Sequence, residues 1–229
     1  MFSFRKFLIE KQIIVGKGAR YGQVVFLAGG AGSGKGFATT HFLEGNKFKI
    51  RDVDEWKKAF LKLAAIKNKY AKLRRLDLRK PKDVEKLHIF VKEKGIADKT
   101  LNLLLSQAKK GRLPNLMIDS TLKNKEDIVR ILPLFLNVGY NPRDIHIVWV
   151  LTNYYIAVQQ NKAPERGRIV PDDILLKTHE GAAGTMFGFI NAGTPRGVNG
   201  SVHIILGGKK HTVFWNNPKT GKPYDGSKG

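Results

Sequence analysis

Seven consecutive residues, Gly29-Gly30-Ala31-Gly32-Ser33-Gly34-Lys35, constrain this chain more than any other stretch. They read G-x-x-x-x-G-K and follow the apolar run Gln23-Val24-Val25-Phe26-Leu27-Ala28. An apolar strand feeding a glycine-rich turn and then a helix is the context in which this spacing cradles phosphate. Glycines let successive backbone N–H groups turn inward without Cβ clashes. The helix that follows adds its dipole and its unpaired N–H groups. The expected nucleotide-binding residues are therefore Gly29, Gly30, Ala31, Gly32, Ser33, Gly34, Lys35, Gly36 and Phe37, with Lys35 reaching the outer phosphates of ATP or GTP. One position departs from the pattern: Gly36 stands where Ser or Thr normally holds Mg²⁺. Thr39 and Thr40 lie a turn further on and are not obvious replacements. Water is expected to fill the gap, because Mg²⁺ usually keeps several waters.

The 229 residues fit one domain with insertions, or one domain and a small appendage. No apolar run approaches the ~18 residues that a membrane helix needs, so no membrane partner is expected. The sequence has no cysteine, which excludes disulfides and thiolate metal sites. Its six histidines are scattered without an HExxH pairing, which argues against a zinc site. The formal net charge of +22 is far more than solubility requires. Such a field favours polyanions, nucleic acid first and anionic lipid as a weaker option. The densest run holds Lys67, Lys69, Lys72, Arg74, Arg75, Arg79, Lys80 and Lys82 against Asp77 alone. A solvated helix face is the competing explanation of that run.

The patterning predicts alternating strands and helices. The first strand is expected over about 23–28 and the following helix over about 34–44. Lys47 to Asp52 reads as the second strand. Asp54 reads as the N-cap of a helix on which Trp56, Phe60, Leu63 and Ala64 recur at helical spacing. A basic helical insert is expected over about 67–112, broken by Pro81 and Gly95. Leu116 to Asp119 reads as a short buried strand, 124–137 as a helix, and Asp144 to Leu151 as a central strand interrupted only by His146. Helix, basic loop and helix cover about 153–190. Gly193 to Gly200 is a loop, and Ser201 to Leu206 and His211 to Trp215 are the last strands. Residues 1–20 form an N-terminal extension with Phe2, Phe4, Phe7 and Leu8 on one helical face, and 216–229 a polar tail expected to fray. The core domain is then 21–215. Its fold class is α/β: a mostly parallel sheet covered by helices on both faces. Ligands in such sheets bind beyond the strand carboxyl ends. The glycine-rich loop, Asp52 and Asp54, and Asp119 all fall at that edge.

A second motif, Gln160-Asn161-Lys162-Ala163-Pro164-Glu165-Arg166-Gly167-Arg168-Ile169-Val170-Pro171, follows the central strand. Arginines in a short loop between helices suit a lid that places guanidinium groups on phosphate charge. An ordinary charged surface loop is the alternative. Four segments now stand in order: the glycine-rich loop, Arg51-Asp52-Val53-Asp54-Glu55-Trp56, Ile118-Asp119-Ser120-Thr121, and Arg166-Gly167-Arg168-Ile169-Val170-Pro171. That order resembles the phage polynucleotide kinases and the related zeta-toxin-like small-molecule kinases, over roughly residues 23–190. The resemblance implies a P-loop kinase-type three-layer sandwich with an arginine-containing helical lid. It implies a carboxylate after the second strand as general base on the acceptor hydroxyl. Asp54 matches best, and Asp52 matches under a one-step shift. It implies Lys35, Arg166 and Arg168 as catalytic residues, Asp119 as the strand-end carboxylate near Mg²⁺, and Arg51, Asp119 and Thr121 on the acceptor.

Met1-Phe2-Ser3-Phe4-Arg5-Lys6-Phe7-Leu8-Ile9-Glu10 resembles the head-targeting peptides of tailed-phage internal proteins, with Leu8-Ile9-Glu10 fitting the cleavage pattern. This resemblance implies location in a virion head, against host cytoplasm otherwise. Three functions follow as expectations. The first is an ATP- or GTP-dependent phosphotransferase acting on a hydroxyl, with nucleic acid as the leading acceptor and partner. The second is a zeta-toxin-like kinase of a nucleotide sugar or other small metabolite. The third is a non-catalytic nucleotide- or DNA-binding internal head protein, motivated by Gly36.

Overall fold

The structure is a computed structural model that describes residues 21–43, 45–108, 113–164, 166–207 and 213–214. The N-terminal extension, its head-targeting resemblance and the 216–229 tail lie outside the described residues.

The strands are β1 (Val24–Ala28), β2 (Lys49–Asp52), β3 (Leu116–Asp119), β4 (Ile145–Thr152), β5 (Val202–Gly207) and β6 (Val213–Phe214). They form one sheet in the order β2-β3-β1-β4-β5-β6. The pairs β2–β3, β3–β1, β1–β4 and β4–β5 are parallel, and β6 joins β5 antiparallel. The helices are α1 (Lys35–Phe42), α2 (Val53–Ile66), α3 (Pro81–Glu93), α4 (Ile96–Ala108), α5 (Lys125–Val138), α6 (Tyr154–Lys162) and α7 (Asp172–Ala192).

Strand β1 is buried at all five positions, and its alternation sorts the layers. Val24, Phe26 and Ala28 face a core built with Leu101 and Leu105 of α4, Ile128, Ile131, Leu132 and Phe135 of α5, and Met186 and Phe189 of α7. Val25 and Leu27 face the other way, onto Ala38 and Phe42 of α1. Period-2 side-chain placement on a strand buried on both faces requires apolar residues throughout. Phe135 anchors the larger core, edge-on to Phe26 at 5.9 Å and to Tyr140 at 5.7 Å.

The basic insert packs on α2. Phe60 and Ala64 of α2 share a small core with Leu73 and with Leu87, Phe90 and Val91 of α3. Pro81 opens α3 at its first turn, where a missing N–H costs nothing. Several cations of the run are engaged locally. Arg74 donates to the Ala64 carbonyl at 2.7 Å and to Asn68 Oδ1 at 2.7 Å. Lys72 lies 5.4 Å from the centre of the Phe90 ring.

The expected N-cap is corrected by two residues. Helix α2 is capped by Asp52, whose Oδ1 accepts from the Asp54 N–H at 2.7 Å, so Asp54 stands inside the first turn. Both carboxylates fit a helix N-terminus, and the Asx geometry of the residue ending β2 decides between them. The third layer is in place, and among the described residues no helix is long and apolar enough to cross a membrane.

Candidate functional site

Strand order places β1 between β3 and β4, so the chain leaves the sheet in opposite directions on either side of it. That switch point opens a crevice beyond the carboxyl end of β1, and residues 29–35 occupy it. The loop is braced from behind. Thr152, at the end of β4, donates to the Ser33 carbonyl at 2.7 Å. From α7, Thr178 Oγ1 accepts from the Ala31 N–H at 3.0 Å, and His179 Nε2 donates to the Ala31 carbonyl at 2.8 Å. This packing explains two of the glycines. A Cβ on Gly30 would meet the His179 ring at 2.1 Å, and one on Gly32, where φ is +77°, would meet the Ala157 carbonyl at 2.6 Å. Gly34, at φ 90°, turns the chain into α1. The first N–H groups of α1 have no acceptor within the helix, and its first turn holds no acidic side chain. An anion is the complementary partner.

Lys35 is folded back onto this loop. Its Nζ donates to the carbonyls of Gly29 at 2.9 Å and Gly30 at 3.3 Å, and stands 4.0 Å from Asp119 Oδ1. Burial lowers its pKa, with Asp119 and Asp54 opposing. Asp119 and Asp52 are register partners at the ends of β3 and β2. Burial pushes Asp119 up to about 6, against the pull of Lys35 and with Asp52 and Asp54 adding to it. Burial also raises Asp52, partly offset by its bond from the Asp54 N–H.

Asp54 behaves oppositely. Burial disfavours its charge, but Arg168 and Lys57 overcome this and hold the carboxyl well below the usual carboxylate range. Lys57 Nζ lies 2.7 Å from Oδ1, and Arg168 Nη1 pairs with Oδ2. Arg166 comes to the loop: its Nη1 lies 3.2 Å from where a Gly32 Cβ would stand. Asn161, fully buried, fastens the arginine loop to its own helix. It donates to the Val170 carbonyl at 2.7 Å and accepts from the Val170 N–H at 3.0 Å.

These groups share one cavity of about 950 Å³. Its walls include Ser33 to Gly36, Asp52, Asp54, Asp119, Thr121, Arg166 and Arg168. The insert contributes His88 and Lys92 of α3 to the lining. Arg51 and Thr121 line the cavity and also brace the frame around it, whereas Phe37 lies outside the lining. The Arg51 guanidinium holds the Ala97 carbonyl, at 3.2 and 2.7 Å, and so ties β2 to α4. Phe37 is half-exposed and stacks on His41, centroids 4.0 Å apart, outside the cavity lining. Thr121 meets the loop through its carbonyl, which accepts from the Gly29 N–H at 3.1 Å.

The Gly36 gap is real in three dimensions. Thr39 Oγ1 donates to the Lys35 carbonyl at 3.0 Å and Thr40 Oγ1 to the Gly36 carbonyl at 3.1 Å, so neither hydroxyl takes the missing place. A Cβ on Gly36 meets nothing within 4 Å. Among the described residues, no group of three His, Cys, Asp or Glu side chains forms a metal cage.

No protein-family model and no curated protein matches the sequence. Solved structures do. A chain of the PezAT chromosomal toxin-antitoxin system of Streptococcus pneumoniae superposes with a TM-score of 0.53 at 14% identity, covering 91% of this chain and 76% of that one. The shared feature is the fold, an α/β architecture whose parallel strands are flanked by helices. A chain of the AvrRxo1-ORF1:-ORF2 complex with ATP gives a TM-score of 0.49 at 14% identity, covering 85% of this chain and 57% of that one. Deoxyadenosine kinase from M. mycoides with bound dATP gives 0.37 at 17% identity, over 83% and 93% of the two chains. These are likenesses of architecture, and only the first is close enough to bear on it.

Lys57, Thr178, His179 and Arg79 were not singled out for the site by sequence. Lys57 had a usable signal, three residues after Asp54 on one helix face. Thr178 and His179 had none, since their contact to Ala31 spans the fold.

Proposed function

We propose that this chain is a nucleoside triphosphate-dependent phosphotransferase acting on a hydroxyl of a small acceptor. The observation that carries this reading is the convergence of Lys35, Asp54, Asp119, Arg166 and Arg168 on one cavity beyond β1. Phosphoryl transfer leaves little covalent chemistry to the protein, so positioning and neutralised charge suffice. The loop N–H groups and Lys35 hold the donor phosphates. The acceptor oxygen bonds to the γ-phosphorus as the bond to the β–γ bridging oxygen breaks. The hydroxyl proton passes to Asp54, and the nucleoside diphosphate leaves.

Asp54 serves as the base by its place on the cavity wall beside Arg168, while Asp52 also caps α2 through Oδ1. In the resting site both Asp54 oxygens are paired. Arg168 turning to the transferring phosphate releases Oδ2 toward the acceptor, so one movement both frees the base and supplies a guanidinium to developing charge. Asp119 is the residue that would hold Mg²⁺, which when bound would supply neutralisation of phosphate charge.

A small acceptor is favoured because the cavity, lined in part by His88 and Lys92 of α3, has a volume of about 950 Å³, within the range of small-molecule sites. A nucleotide sugar or a nucleoside fits that volume. The fold likeness to a chain of a toxin–antitoxin system is compatible with this reading. A second reading, a nucleic-acid acceptor, draws on the net charge of +22 and on the exposed Lys67, Arg75, Lys80 and Lys82.

The test is transfer from γ-labelled ATP to nucleotide sugars, nucleosides and 5′-hydroxyl oligonucleotides at several salt concentrations. Label on a small acceptor with little salt dependence supports the main reading. Label on oligonucleotides with steep salt dependence favours the second. ATP binding with no transfer to any acceptor sinks both.

A further inference from the structure

The segment Leu78–Arg79 of the basic insert grips the arginine loop at three backbone points. Arg79 Nη1 donates to the Ala163 carbonyl at 3.1 Å and also to the Arg166 carbonyl. The Leu78 carbonyl accepts from the Ile169 N–H at 2.9 Å. These contacts bracket the stretch that carries both Arg166 and Arg168. Arg79 is itself set by a local turn: its N–H donates to Asp77 Oδ1 at 2.8 Å, and the Asp77 N–H donates to Asp83 Oδ2 at 3.2 Å.

We infer that Arg79 is a positioning residue for phosphoryl transfer: it fixes the loop so that Arg166 meets the phosphate loop and Arg168 meets Asp54. The inference rests on the proposed phosphotransferase reading, under which those two arginines act on the phosphates.

Two carbonyls three residues apart converge on Nη1 of Arg79, and the planar guanidinium is pre-organised for them where a lysine ammonium on a flexible stem loses more freedom. Asn161 fixes the distal end of the loop at Val170, so the loop is tied at one end to α6 and along its length to the insert. The insert also lines the cavity through His88 and Lys92 of α3. Helix α3 begins two residues after Arg79. An acceptor that settles α3 therefore settles the clasp, and through it the two arginines.

A simple brace for stability is the competing role, and three measurements separate the two. Arg79→Ala is expected to lower kcat roughly 10- to 100-fold, the scale of a small misplacement of catalytic groups, while the KM for ATP stays within about twofold. Arg79→Lys is expected to recover part of kcat, and it stands in should the alanine variant not fold. In an Arg166→Ala/Arg168→Ala background, losing Arg79 as well should have no further effect on kcat, because it acts through them. Hydrogen exchange on the whole protein should show faster exchange at 166–169 in the variant, with β1 and β4 unchanged.

An unchanged kcat, or a full additional loss in the double-arginine background, overturns the positioning role. Unchanged exchange at 166–169 overturns the clasp itself. If the wild type transfers no phosphate, the phosphotransferase reading fails, and Arg79 with it has no reaction to position; the exchange result then reports only whether the clasp exists.

Discussion

The two ends of one sheet treat buried polar groups in opposite ways. At the amino ends of the strands, Gln23, Asn115, His146, Ser201 and His203 form a neutral network. Asn115 Oδ1 accepts from the Gln23 N–H at 3.0 Å, His146 reaches Gln23 Oε1 and Ser201 Oγ at 2.9 Å each, and His203 Nε2 reaches Ser201 Oγ at 2.8 Å. Burial pushes both histidines down to about 4, so they stay uncharged at neutral pH. At the carboxyl ends, Lys35, Asp52, Asp54, Asp119, Arg166 and Arg168 crowd together with charges only partly matched. Asp119 is pushed up while Asp54 is held down, though both belong to one cavity. The first arrangement closes a core. The second keeps unlike pKa values side by side, an arrangement common at functional sites.

Substitution should expose that difference. The largest effect is expected at the carboxyl end. Asp54→Asn should reduce transfer by roughly 10²- to 10⁴-fold with ATP binding retained. Asp52→Asn keeps the cap, because Asn serves there as well as Asp. It should lose far less, and equal losses in side-by-side kinetics would remove the distinction drawn between the two carboxylates.

Next comes the loop itself. Gly30→Ala forces a Cβ to within 2.1 Å of the His179 ring. Titration calorimetry should show ATP affinity falling at least tenfold, the scale of a misfitted anchoring loop. Retained affinity would mean that α7 yields freely and does not brace the loop.

Gly36→Ser tests whether the site is metal-poor. The position is open and its backbone is not left-handed, so a serine fits. One added oxygen ligand, worth about 1 kcal/mol, should lower the Mg²⁺ needed for half-maximal activity roughly fivefold. No change would mean that water already fills the role fully.

The smallest effect belongs to the amino end. The two histidines have folded values below the ordinary histidine value, so the unfolded chain binds protons more readily. Their neutral forms contribute stability that is fully present above about pH 6.5 and is lost as pH falls through about 4. Urea unfolding from pH 7 to 4 should show that loss, with a slope of about 1.4 kcal/mol per pH unit for each proton taken up. His203→Gln should make the slope shallower while leaving transfer unchanged at neutral pH.

The carboxyl end was largely legible in the sequence, the amino end hardly at all. Gly29 to Lys35, Asp54, Asp119 and Arg166 to Arg168 stand out because glycine-rich, acidic and basic residues follow the strands at characteristic spacing. The strands β1, β3 and β4 read correctly because full burial leaves apolar runs, and β3 matches the expected residues 116–119. The cap of α2 was misplaced because Asp52 and Asp54 both suit a helix start. The clasp from Arg79 to the arginine loop spans more than 80 residues, and Gln23 to His146 spans more than 120. Contacts of that separation leave no periodic trace. The basic run likewise gave no sign that Arg74 and Arg79 are engaged with backbone carbonyls.

The most direct measurement incubates the protein with γ-labelled ATP, Mg²⁺ and the small-molecule fraction of a cell extract, beside Asp54→Asn as control. The account predicts that label moves to an organic hydroxyl compound with the wild type and not with Asp54→Asn, although both bind ATP. Equal labelling by the two proteins, or none by a wild type that binds ATP, would contradict it.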